Sequence, residues 1–146
     1  MDNLQQINGF PVNSISVGEG IVLINIFTLD PEIADQFVTT QVAEYKRLKG
    51  QFPGSYTANL HISLDRTRAA NYAHFSSVED YFAMRNSPEF ADHLNRLQGL
   101  VVKAEPQLYQ VVYTQHFDQP TSEQSLPSLP DPKVAPALTA LAVKEF

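Results

Sequence analysis

Apolar and polar positions change rhythm several times along the chain, and each change marks an element. Residues 1–19 are polar, glycine-dotted and aperiodic, which predicts an N-terminal arm. From Gly20 onward the text becomes "IVLINIFTL", a run of branched and apolar residues suited to a buried strand. Strand side chains alternate, so Ile21, Leu23, Asn25 and Phe27 share one face, and Val22, Ile24, Ile26 and Thr28 share the other. The asparagine inside this run is the anomaly, because strand interiors disfavour it. Asp30-Pro31-Glu32 then predicts a helix start. Asp30 can cap the free amides, Pro31 suits the first helical position, and Glu32 favours the positive end of the dipole. Ile33, Phe37, Val42, Tyr45 and Leu48 follow as the apolar stripe of a helix over 31–49, with Gly50 as its stop.

Alternation returns in "SYTANLHISL" (55–64), and "DRTR" (65–68) can close a hairpin into a strand over 69–75. Ser76 followed by Glu79 reads as a capping box for a short helix over 77–85. Ser87-Pro88-Glu89 opens another helix, striped with Phe90, Leu94 and Leu97 and stopped at Gly99. A last strand is expected over 107–117. The remainder, 118–146, holds five of the ten prolines and predicts a tail without regular elements, although its "PALTALAVKEF" end is apolar enough to dock. Strand, helix, strand, strand, helices, strand is the split β-α-β order of a ferredoxin-like fold. It belongs to the α+β class, with an antiparallel sheet covered by helices on one face. One domain over 20–117 is expected between the two arms. Val22, Ile24 and Ile26, with Val112, predict an apolar outer sheet face that a sheet-to-sheet homodimer would bury.

Composition narrows the partners. Ten basic and sixteen acidic residues give a net charge of −6 with no basic block, which argues against nucleic acid or an anionic membrane surface. The chain has no cysteine, so thiolate catalysis, disulfides and cysteine metal sites are excluded. The opening "MDNLQQINGFPVNS" lacks a basic segment followed by an apolar run, and no apolar stretch approaches the roughly 20 residues of a membrane span. A soluble cytoplasmic domain is the expectation. The four histidines show no metal-ligand spacing, so no metal site is expected.

Five stretches resemble the antibiotic biosynthesis monooxygenase (ABM) family, dimeric α+β-barrel proteins related to the quinone-forming anthrone oxygenases. They are "LINIFTLDPE" (23–32), "PGSYTANLH" (53–61), "NYAHFSS" (71–77), "SPEFADHL" (87–94) and "EPQLYQVVY" (105–113). The resemblance covers about residues 20–116. The central motif is the most telling, since the family commonly reads Asn-Tyr-Ala-x-Trp-x-Ser there. It implies a reaction without flavin, haem or metal: the substrate is deprotonated, its carbanion passes an electron to O2, the radicals couple, and loss of water leaves a quinone. The protein's task is then to hold a planar phenol in a dry cavity and stabilise its anion.

Carried onto this sequence, the resemblance makes Asn25, Asn71 and Tyr81 the catalytic candidates, with amides and a hydroxyl directed at the substrate oxygens. Phe75 stands where the family has tryptophan, keeping a stacking face and losing the indole N–H. Phe75, Phe27, His61 and His93 are the candidate substrate contacts, His61 only if its face lines the cavity and His93 by leaning into the mouth. His74 should point away from Asn71. The plainer alternatives are backbone hydrogen bonds within the sheet for both amides, and surface or satisfied positions for the histidines. Two other functions compete: a non-catalytic, cyclase-like binding protein using the same cavity, and haem degradation. The haem-degrading branch carries an axial histidine and a tryptophan where this chain has Leu94 and Met84, with His93 adjacent.

Overall fold

In this computed structural model, residues 6–7, 10–11, 15–18, 20–115, 126–129 and 131 are described. The expected docking of the tail's apolar end, and the histidine at 116, lie outside them. Strands β1 (Gln6–Ile7) and β2 (Phe10–Pro11) pair with each other. The main domain runs β3 (Ile21–Thr28), α1 (Ala34–Leu48), β4 (Ser55–Ile62), β5 (Arg68–Phe75), α2 (Val78–Arg85), α3 (Pro88–Leu97) and β6 (Lys103–Tyr109). Its sheet is ordered β4-β5-β3-β6, with every neighbouring pair antiparallel. Strands β3 and β4 therefore run parallel with β5 between them, and α1 makes the crossover. This is the ferredoxin-like α+β fold expected from the order of elements.

Local chemistry explains the boundaries. Asp30 Oδ1 accepts from the Glu32 N–H at 2.9 Å and opens a 3₁₀ turn over Pro31–Ile33, so α1 proper begins only at Ala34. Ser87 Oγ likewise accepts from the Phe90 N–H at 3.1 Å and caps α3. The cap of α2 is Ser77, not Ser76: Ser77 Oγ accepts from the Asp80 N–H at 3.1 Å, while Ser76 donates its hydroxyl to the Asp80 carboxylate. Gly54 sits beside that pair with φ +76°, and a side chain there would collide with both groups. In the β4–β5 turn, the Asp65 carboxylate accepts from the Thr67 N–H and hydroxyl and from Ser63 Oγ, which together hold its pKa down at about 2.

Three further expectations need correction. The last strand starts at Lys103 and ends at Tyr109, so it runs through Pro106 instead of starting after it. An edge strand tolerates proline where the missing N–H would face away from the sheet. Val42 is 37% exposed, whereas Ala34, Phe37, Gln41 and Glu44 form the buried stripe of α1. The outer sheet face is also less bare than expected. Val22 is only 3% exposed and shares a depression of about 250 Å³ with Ile15, His74 and Val111, while Val112 follows the last strand and is not part of it.

The core has two parts between sheet and helices. One gathers Phe27, Leu29, Phe37, Ala69, Leu97 and Ala104; the other gathers Leu23, Ala73, Phe75, Tyr81 and Met84. No helix among the described residues is long and apolar enough to cross a membrane.

Candidate active site

Between the helix-facing side of the sheet and the three helices lies a cavity of about 530 Å³. That is within the roughly 300–1,000 Å³ usual for small-molecule sites. Strand register builds its floor. Ala58 of β4 pairs with Ala73 of β5, and Ala73 pairs with Leu23 of β3, so two methyl groups lie side by side, that of Ala73 buried and that of Ala58 exposed on the edge strand. One row along, Asn71 of β5 pairs with Asn25 of β3, and Asn25 pairs with Pro106 of β6. Residues directly opposite in an antiparallel ladder stand about 4.5–5.5 Å apart at Cα, so the two amides form a single polar patch in an apolar floor.

Both amides line the cavity, and the Oδ1 atoms of Asn25 and Asn71 are buried with no hydrogen-bond partner among the described residues. Gln41 Oε1 on α1 is in the same condition, in a residue only 2% exposed. Buried polar groups are almost always satisfied, because leaving one unpaired costs about 1–3 kcal/mol. Three unpaired amide oxygens in residues around one cavity make it the candidate ligand-binding region. A half-turn of the terminal amide presents N–H instead, so each can meet a hydroxyl or a developing oxyanion.

Hydroxyls and rings complete the walls. Phe75 and Tyr81 meet edge-on, with centroids 5.4 Å apart, and both face the cavity. Burial raises the Tyr81 pKa against the opposing influence of Arg85, whose guanidinium carbon also lies 5.2 Å from the Phe90 ring centre. Burial pushes the Tyr45 phenol up to about 12, and Tyr45 Oη accepts from Gln41 Nε2 at 3.3 Å. Both phenols therefore keep their protons near neutrality and can donate them in hydrogen bonds.

The third helix adds a titratable pair. His93 lines the cavity and is 7% exposed; its Nδ1 lies 3.1 Å from Oε1 of Glu44, itself 4% exposed. Arg47 grips the same carboxylate with two N–H groups, at 2.6 and 3.0 Å. That grip outweighs burial and holds the Glu44 pKa at about 2. Burial pushes the His93 imidazole below its usual range, against the pull of Glu44.

The candidates from sequence divide cleanly. Asn25, Asn71, Tyr81, Phe75, Phe27 and His93 all line the one cavity. His61 does not: it borders the depression on the opposite face with Tyr72 and His74, because β4 turns its odd side chains at that point outward. His93 is a buried member of the wall and not a residue leaning in at the mouth. Sequence reasoning missed Gln41, Tyr45 as a site residue, and Glu44. A signal was present: the stripe Ile33, Phe37, Val42 contains a five-residue step that no helix face keeps, whereas Phe37 to Gln41 is one turn. Among the described residues, no group of three or more potential metal ligands is assembled.

No protein-family model matches the chain. Tetracenomycin-F1 monooxygenase of Streptomyces glaucescens is 30% identical over 73 residues, which is 50% of this chain and 65% of that protein. The match thus spans just under two thirds of that relative. In fold, the chain is similar to SnoaB of Streptomyces nogalater, a cofactor-independent oxygenase, with a TM-score of 0.52 and 19% identity over 70% of this chain and 100% of SnoaB. It is also similar to a provisionally named antibiotic biosynthesis monooxygenase from Nitrosomonas europaea, with a TM-score of 0.56 and 14% identity over 66% of this chain and 93% of that one.

Proposed function

We propose that this chain, which resembles the antibiotic biosynthesis monooxygenases in sequence and shares their fold, is a cofactor-independent monooxygenase converting a phenolic or anthrone-type aromatic to a quinone with O2. The observation that carries this reading is the cross-strand pair Asn25–Asn71 on the cavity floor, with both amide oxygens buried and unpaired among the described residues. A planar phenol would lie on the floor between Phe75 and the helices. Its oxygens would meet the two amides, and the Tyr81 hydroxyl would donate to charge as it develops. Deprotonation at the acidic C–H gives a carbanion, which passes an electron to O2. Coupling gives a hydroperoxide, and loss of water leaves the carbonyl, so one O2 yields one quinone oxygen and one water. Donors fixed before charge develops lower the barrier without reorganising during the step.

The test is O2 uptake and quinone formation with 1,8-dihydroxyanthrone under air. Phe75→Trp is expected to raise the rate, because it supplies the N–H donor that the motif carries elsewhere. If wild type and Phe75→Trp both bind the anthrone and neither oxidises it, the chain is a binding protein using the same cavity.

The active unit is proposed to be a homodimer joined through the outer sheet faces. Ile24 and Ile26 remain partly exposed there, and Tyr109, opposite Val22, is 47% exposed. Obligate dimers bury more than about 2,000 Å², mostly apolar. Ile24→Glu is expected to aggregate or unfold, and sedimentation of wild type at micromolar concentration is expected to give a dimer. A folded monomer at that concentration would rule the dimer out.

A further inference from the structure

The oxygenase reading requires a base, and the amides and phenols of the cavity cannot provide one. We propose that His93 is the general base that removes the substrate C–H proton, and that Glu44 is the positioning residue that fixes its tautomer. This rests on the monooxygenase reading above and adds a residue pair to it.

The geometry carries the assignment. Glu44 accepts two N–H groups from Arg47, at 2.6 and 3.0 Å, and a third interaction reaches it from Arg96 at 3.7 Å. A carboxylate so held is ionised and can only accept. The Nδ1 of His93, 3.1 Å from Glu44 Oε1, must therefore carry the proton in the neutral ring. Nε2 keeps the lone pair, and the ring stands in the cavity wall. Glu44 is not part of that wall, so the carboxylate acts on the substrate only through the histidine. A carboxylate held against one ring nitrogen orients a histidine base and stabilises its cation when the other nitrogen takes a proton.

The other candidates fail on chemistry. Tyr45 and Tyr81 have phenols raised by burial and keep their protons. Lys49 and Arg85 bring positive charge to the wall, and no carboxylate among the described residues lines it. The groups of His93's surroundings and of the cavity wall come from all three helices: Tyr45, Glu44 and Arg47 on α1 with Lys49 at its end, Tyr81 and Arg85 on α2, and Asp92 and Arg96 on α3, with Tyr56 on β4.

The step balances. The C–H proton passes to His93 Nε2, leaving the substrate carbanion and an imidazolium paired with Glu44. One electron goes from the carbanion to O2, and the C–O bond forms on radical coupling. The peroxide anion then takes the proton back from His93, and loss of water, with the second C–H proton, gives the carbonyl. Histidine ends neutral.

Two readouts test this with 1,8-dihydroxyanthrone. In an O2-free cuvette, wild type is expected to convert the bound anthrone to its anion, seen as a new visible band, while His93→Gln binds the anthrone without that band. Under air, kcat/KM of wild type is expected to fall with an acid limb below the ordinary histidine value of about 6.5, because only the neutral ring accepts a proton and burial favours that form. His93→Gln should lose about 10²–10⁴ in kcat, the usual worth of a positioned base, and with it the acid limb. Glu44→Gln should lower kcat with little change in KM and move the limb to still lower pH, since it removes the charge that favours imidazolium. A folded His93→Gln that ionises and oxidises the anthrone at the wild-type rate, with the limb unchanged, overturns the base assignment while leaving the oxygenase reading intact. If His93→Gln does not fold, an unshifted limb in Glu44→Gln overturns it equally. Wild type that binds the anthrone but neither ionises nor oxidises it overturns both.

Discussion

Asn71→Val is expected to give a protein that is more stable by about 1–3 kcal/mol and slower by about 10²–10³ in anthrone oxidation. The two effects have one cause. Asn71 Oδ1 is buried without a partner, so the folded state carries the cost of stripping water from that atom and regains nothing for it. Valine removes the atom and suits a strand interior better. The same atom is useful only when a ligand arrives and charge develops against it. Asn25→Val should behave alike, because Asn25 is the direct cross-strand partner and its Oδ1 is equally unpaired. Thermal melting and O2 uptake on the same samples check this. A variant that melts lower than wild type yet turns over at the original rate would show that Asn71 is a structural amide, the plainer alternative.

The largest effect on stability is expected at Phe37. Its side chain is 0% exposed, and its ring centre lies 5.2 Å from that of Phe27 at the junction of α1 and β3. Removing a buried phenylalanine costs about 3–5 kcal/mol through lost transfer energy and the void left behind. Domains of this size hold only about 5–15 kcal/mol in total. Phe37→Ala should therefore shift the urea midpoint strongly downward, and it should also weaken ligand binding, because Phe27 belongs to both the core and the cavity wall. A shift worth less than about 1 kcal/mol would show that the α1–β3 contact can collapse without it.

Much of this is legible in the sequence alone. The order of elements, the caps Asp30 and Ser87, and the shared face of Leu23, Asn25 and Phe27 all follow from local chemistry that acts within a few residues. Local signals fail where tertiary context decides. Pro106 reads as a break, yet it is harmless on the outer strand of a sheet, and only the strand order makes β6 that strand. Ser76 and Ser77 offer the same side chain one residue apart, and the Asp80 N–H, which donates to Ser77 Oγ, chooses between them as the cap. Glu44 is the instructive miss. A glutamate on a helix is ordinarily solvated, and nothing in its own neighbourhood announces burial. Its partner His93 lies 49 residues away on another helix, so the pair exists only after α1 and α3 pack. Asn25 stands out because asparagine is unusual inside a strand, Asn71 because it falls on the motif of the resemblance, and His93 because it neighbours an apolar stripe; Glu44 has no such signal.

The Ala58–Ala73 pair on the cavity floor separates two properties that enzymes commonly entangle. The room between the sheet and the helices at this pair is set by two methyl groups that are chemically inert. The polar patch lies one row away, and the proton chemistry sits across the cavity on the helices. Enlarging or shrinking one methyl group on β4 or β5 would change which ring systems enter, leaving the reactive groups untouched. A scaffold divided this way lets the shape of the space change without changing the groups that would react within it.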